Sequence, residues 1–158
     1  TIIRGRMQAH LIDGIRYVEL PEFWRMELFK DSMRSYEDVT VTVSKSIYDS
    51  IEVDSDGERS FAKMLDEDSR VKLFIKLPAW FTVPTPIGSY NPDWAIVMET
   101  RDLNGVVTEN LYLVRETKFV TNLDNLRPIE MGKIRCAKEH FKALNVDFKE
   151  VTSYQELI

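Results

Sequence analysis

The chain has 158 residues, 44% hydrophobic and 11% aromatic, enough apolar material for one packed domain with at most an appendage. A net charge of -5 excludes a strongly basic, nucleic-acid-coating surface but leaves room for a local basic groove. A single cysteine, Cys136, excludes a disulfide framework and a zinc-type cluster. No apolar run reaches the ~18 residues of a membrane-spanning helix, and no signal peptide is visible. An intracellular location without a membrane partner is therefore expected. The chain opens on Thr1 rather than methionine, as expected of a piece of a longer protein.

In chain order, Asp13-Gly14 separates Ala9–Ile12 from Ile15–Leu20, a hairpin signal closed by Pro21. Phe23–Phe29 fits a short helix. From Asp38 to Val43, valines at 39, 41 and 43 alternate with Thr40 and Thr42, the period of a half-buried strand. Residues 1–50 thus read as a β-rich N-terminal lead-in, and residues 51–158 as the main domain.

Ser55-Asp56-Gly57-Glu58 carries helix-start chemistry, a side-chain cap followed by acids near the positive end of the helix dipole. Phe61, Ala62, Met64 and Leu65 form the expected apolar stripe, with Glu58 on or beside it. Strands are predicted over Val71–Leu77, Trp94–Thr100 and Leu111–Lys118, the last two joined by an Asn104-Gly105 turn. Pro78, Pro84, Pro86 and Gly88 punctuate the connection between the first two strands. Asn122–Arg127 is loop-like, and Pro128 suits a first helical position. Ile134, Ala137, Phe141 and Leu144 recur at helical spacing. Val146–Val151 gives a last strand, and Tyr154–Ile158 the start of a terminal helix. Helix, three strands, helix, strand is an α/β order with a mixed central sheet flanked by helices.

Two motifs carry the chemistry: Asn91-Pro92-Asp93-Trp94 and Glu116-Thr117-Lys118. Side chains two apart in a strand share a face, so Glu116 and Lys118 point the same way, with Val114 and Tyr112. The hairpin returns to the end from which Asp93 enters. Two carboxylates and one ammonium then meet, a set suited to a divalent cation and an activated water. The plain alternative is an ordinary ion pair at strand ends. Both acids, however, border apolar runs that read as buried, Trp94–Met98 and Leu111-Tyr112-Leu113-Val114, where charge is costly unless paired or metal-bound. Glu58 is a further acidic candidate, with interaction with the helix dipole as its plain alternative. Lys133 and Lys138 are candidates for phosphate contact against the plain role of a solvated helix face. His10 and His140 have no partners at ligand spacing, and Trp80, Phe81 and Trp94 read as core. No phosphate-binding loop, nucleophile elbow or Cys-His pairing signal is present.

The run Leu73-Phe74-Ile75-Lys76-Leu77-Pro78-x-Trp80-Phe81-x-Val83-Pro84-Thr85-Pro86-Ile87-Gly88-x-Tyr90-Asn91-Pro92-Asp93-Trp94-Ala95-Ile96-Val97 resembles the C-terminal endonuclease domain of the restriction (Res) subunit of type III restriction-modification enzymes. Leu111–Lys118, Lys133-Ile134-x-Cys136-Ala137-Lys138-x-His140-Phe141 and Glu58-x-x-Phe61-Ala62-x-x-Leu65 extend the resemblance over about residues 50 to 150. Phe119 departs from it, standing where the family has a small residue. The resemblance implies the restriction-endonuclease-like PD-(D/E)xK fold. It implies Mg2+ held by Asp93, Glu116 and the Thr117 carbonyl, with Lys118 orienting or deprotonating the attacking water and Glu58 assisting. It further implies double-stranded DNA as substrate, a Mod methyltransferase subunit as partner, ATP used only by a helicase part outside this chain, and a prokaryotic cytoplasm. The alternatives are a non-catalytic nuclease-like assembly or DNA-contact domain, and a helicase-independent repair or phage nuclease.

Overall fold

The computed structural model describes residues 40–118 and 128–158. The hairpin at Asp13-Gly14, the helix at Phe23–Phe29, the Asn122–Arg127 loop, His10 and Phe119 lie outside the described residues.

Two short strands, β1 (Thr40–Thr42) and β2 (Ser50–Glu52), pair antiparallel. Helix α1 (Asp56–Glu67) follows. Next come β3 (Val71–Lys76), β4 (Trp94–Arg101) and β5 (Val107–Thr117), then helix α2 (Pro128–Ala143) and β6 (Asp147–Val151). The main sheet runs β3-β4-β5-β6, antiparallel except for the parallel β5–β6 pair. A parallel neighbour requires a crossover, and α2 supplies it. The expected α/β order with a mixed central sheet is what the chain adopts.

Helix α1 starts where Ser55 accepts the Glu58 N–H at 3.2 Å. Phe61, Ala62 and Leu65 enter the core, but Met64, expected on the same stripe, is 40% exposed. At 3.6 residues per turn Met64 lies roughly 100° from the centre of the inward arc, which Leu65 and Glu58 occupy.

The main sheet separates two apolar layers. On one face Trp94, Ile96, Met98 and Leu113 pack with Phe61 and Leu65 of α1 and with Val41 and Ile51 of the small ribbon. The Phe61 and Trp94 rings stand 5.5 Å apart. On the other face Val114 and Phe148 pack with Ile134, Ala137 and Phe141 of α2 and with Val83 and Tyr90 from the connection. Alternation along β5 therefore sends Leu113, Arg115 and Thr117 toward α1, and Val114, Glu116 and Lys118 toward the α2 side.

Three expectations are corrected. Tyr112, on the face of Val114 and Glu116, is exposed because the outer half of the β4–β5 hairpin extends past its neighbours. Trp80 is also exposed, since the proline-rich connection after β3 runs over the surface; Phe81 beside it is half-buried and Trp94 fully buried. The terminal segment forms one 3-10 turn, Tyr154–Glu156, instead of a helix. There the Leu157 carbonyl is drawn inward to accept Arg115 Nε at 2.9 Å and Nη2 at 2.6 Å.

Candidate active site

The turn before β4 is pinned on both sides. Asn91 Nδ2 donates to the carbonyls of Pro78 at 3.1 Å and Phe81 at 2.7 Å. The Leu77 N–H donates to the Asp93 carbonyl at 2.7 Å. Pro92 between them is buried and fixes its own φ. Asp93 thus leaves the turn with little freedom.

Its carboxylate meets the end of β5. Asp93 Oδ2 accepts the Thr117 N–H and the Thr117 hydroxyl, both at 2.7 Å, and the buried indole of Trp94 donates to that hydroxyl at 3.2 Å. Burial pushes the Asp93 carboxyl up from its ordinary pKa, the Thr117 bonds work against this, and the negative charge of Glu58 adds to the rise.

Glu116 is only 4% exposed. Its Oε1 accepts Lys118 Nζ at 2.6 Å and its Oε2 accepts the Tyr90 hydroxyl. Burial first and Asp93 second raise the Glu116 pKa. For Lys118, burial disfavours the charge, but the hydrogen bond and attraction of Glu116 outweigh it and raise the pKa, so the side chain is an ammonium. The Lys118 N–H donates to the Val151 carbonyl at 2.9 Å, which ties the lysine to β6.

Asp93, Glu116, Thr117 and Lys118 are thereby brought together at the end of the sheet, as the strand alternation predicts. Glu58 stands beside them with its carboxylate engaged: its Oε2 accepts the Asp54 N–H at 2.7 Å and Lys76 Nζ at 2.6 Å. Lys76 also reaches Asp54 Oδ2 at 2.7 Å. The expected dipole interaction of Glu58 is thus joined by a specific ion pair. Lys133 is half-buried, with its Cε and Nζ 3.4 Å from where a Cβ on Gly88 would lie, and Lys138 faces solvent. His140 is half-buried, and burial holds its pKa below the usual imidazole value.

Sequence reasoning missed three side chains here. Tyr90 and Lys76 touch the acids directly, and Arg115 is fully buried behind them. Tyr90 carries no spacing signal because it arrives through a backbone bridge with Val83. A cavity of about 400 Å3 opens beside Asp93, lined in part by Tyr48, Asp54, Lys76 and Asn91.

A buried and a half-buried carboxylate with raised pKa values, one of them raised by the other, fit a hard divalent cation, which takes one or two protein carboxylates and keeps several waters. Among the described residues no group of three or more His, Cys, Asp or Glu stands together at metal-ligating distance, so backbone or water oxygens would complete the shell. No helix among them is long and apolar enough to cross a membrane.

A family model described as an endonuclease domain matches residues 44–154. No curated protein and no solved structure matches the chain. The matched span runs from just after β1 to the first residue of the 3-10 turn and contains the whole Asp93–Glu116–Lys118 group. With its mixed four-stranded sheet between two helices, the chain has a restriction-endonuclease-like fold and belongs to this endonuclease-domain family, a nuclease and hydrolase by class.

Proposed function

We propose that the chain is the Mg2+-dependent DNA-cleaving domain of a type III restriction subunit. One observation supports this reading above the others: Asp93 bonds to Thr117 in the very strand end where Lys118 caps Glu116. An ordinary strand-end ion pair needs neither a second, half-buried carboxylate nor a turn built to deliver one.

In this reading Asp93 and Glu116, with the Thr117 carbonyl, hold Mg2+, which when bound polarises the scissile phosphate and offsets charge on the leaving oxygen. Lys118, kept protonated by Glu116, orients the attacking water and balances charge gathering on the phosphoryl oxygens rather than removing a proton. Water adds to phosphorus, the bond to one ester oxygen breaks, the water's proton passes to solvent, and the leaving oxygen takes a proton from solvent to become a hydroxyl. Glu58 sits beside Asp93 and adds negative potential to the site. Lys133 and Lys138 on α2 supply cationic contacts for the DNA backbone.

The net charge of -5 suits a domain delivered to DNA by partners. We assign that delivery to an ATP-hydrolysing helicase part of a longer protein and a Mod methyltransferase subunit that reads the sequence, in a prokaryotic cytoplasm. The test is Asp93→Ala and Lys118→Ala in the assembled complex, with site-bearing DNA, ATP and Mg2+. Loss of cleavage with ATP hydrolysis retained is the expected result. Normal cutting by either folded variant would overturn the mechanism.

A further inference from the structure

The connection Pro78–Pro92 does more than lead into the Pro92-Asp93 turn. Val83 and Tyr90 form a two-way bridge, Val83 N–H to Tyr90 O at 2.7 Å and Tyr90 N–H to Val83 O at 2.9 Å. The turn between them is closed by the Thr85 hydroxyl bonding to the Gly88 carbonyl, and Gly88 adopts φ +116°, a conformation open to glycine. Tyr90 leaves this bridge with its ring edge-on to Phe148, centroids 6.1 Å apart, inside the layer formed with Val83 and Val114. A phenylalanine would fill the same apolar space. The hydroxyl has one use there, which is to donate to Glu116 Oε2.

Glu116 is consequently held at both oxygens, by Tyr90 on Oε2 and Lys118 on Oε1. A carboxylate oxygen has about two acceptor sites, so each oxygen retains capacity beyond its protein partner. The two donors differ in what they hold still. Lys118 carries a flexible stem, whereas Tyr90 is fixed at its backbone, its ring and its hydroxyl. A rigid donor behind a metal-binding carboxylate sets its orientation, and loss of such a donor typically weakens ion binding 10–100-fold.

We infer that Tyr90 is a positioning residue of this site, whose hydroxyl fixes the Glu116 carboxylate in the orientation that binds the divalent cation. The cation part of this inference rests on the nuclease reading; the Tyr90–Glu116 contact does not. Tyr90→Phe keeps the ring against Phe148 and removes only the donor.

The experiment has a metal-free arm and a metal arm, both on the 158-residue chain, with thermal unfolding as the check on folding. In the first, proton NMR without divalent ions looks for a slowly exchanging, downfield hydroxyl resonance. It is expected in the wild type and absent from both Tyr90→Phe and Glu116→Ala. In the second, Mn2+ binding is followed by electron paramagnetic resonance, with Asp93→Ala as control. Tyr90→Phe is expected to bind Mn2+ about tenfold more weakly, and Asp93→Ala to lose binding. A resonance that survives in Tyr90→Phe, or Mn2+ binding within about twofold of wild type while Asp93→Ala loses it, overturns the inference and leaves the nuclease reading intact. A wild-type chain that shows the resonance but binds no Mn2+ overturns the metal-dependent reading and the cation part of the inference, and upholds the contact alone.

Discussion

Asp93→Asn is expected to make the metal-free protein more stable at neutral pH while ending its activity. Asp93 immediately precedes the in-register Trp94–Arg115 pair, and Glu116 immediately follows it on the partner strand. The Asp93 charge raises the Glu116 pKa, and unit charges about 5 Å apart repel by about 3 kcal/mol at an effective dielectric of 20. Lys118 cancels part of this, since it bonds Glu116 at 2.6 Å and attracts Asp93 as well. A residual strain of about 1–2 kcal/mol is a reasonable remainder at neutral pH, equivalent to about 3–6 °C in unfolding temperature for a chain of this size. Asparagine keeps a carbonyl oxygen to accept from the Thr117 N–H and hydroxyl, so the fold is not disturbed.

The sign with pH follows from the two raised carboxyl values. A carboxyl whose folded pKa lies above its unfolded value costs nothing below about pH 4, where both states are protonated, and destabilises as pH rises through the folded value. The stabilising effect of Asp93→Asn is therefore expected near pH 7 and should shrink toward zero as pH falls to about 4. Thermal unfolding by circular dichroism in EDTA, at several pH values, measures it. A variant less stable than wild type at pH 7, or a difference that does not change with pH, would refute the idea that the two acids oppose each other.

Three other substitutions probe the frame around the site. Arg115 is fully buried and bonds the Leu157, Val114 and Asp147 carbonyls and the exposed Asp147 carboxylate, so Arg115→Ala, which strips the buried carbonyls of their donor, should cost about 2–3 kcal/mol in urea unfolding. Gly88→Ala puts a side chain at φ +116° and should destabilise by about 1 kcal/mol or more, with weaker Mn2+ binding because the Tyr90 bridge shifts; unchanged binding would separate the turn from the site. Lys133→Gln and Lys138→Gln should leave unfolding temperature within about 2 °C of wild type while lowering the salt dependence of DNA binding by about one unit each; an unaltered slope would remove them from the DNA-facing surface.

The parts of the site that were legible in the sequence are those governed by local periodicity. Glu116 and Lys118 share a face because strands alternate, and Asp93 reaches them because an Asn104-Gly105 hairpin brings its two ends together. Trp94, Phe61 and Leu65 were legible as core for the same reason. What was hidden depends on contacts between positions far apart. Tyr90 finds Glu116 across 26 positions, Lys76 finds Glu58 across 18, and Arg115 finds the Leu157 carbonyl across 42. None of these pairs lies on a shared helix or strand period. Met64 and Trp80 misled because hydrophobicity alone does not fix burial: one stands at the edge of its helical arc, the other on a surface connection.

The central claim is that the Asp93–Glu116–Lys118 group cuts DNA. Glu116→Gln tests it most directly, because it preserves shape and one acceptor oxygen but removes the charge. The measurement is the single-turnover rate of phosphodiester cleavage in the assembled, Mg2+-containing complex. A fall of at least about a hundredfold, with folding and DNA binding retained, is the expected result. Cleavage at the wild-type rate would place the chemistry elsewhere.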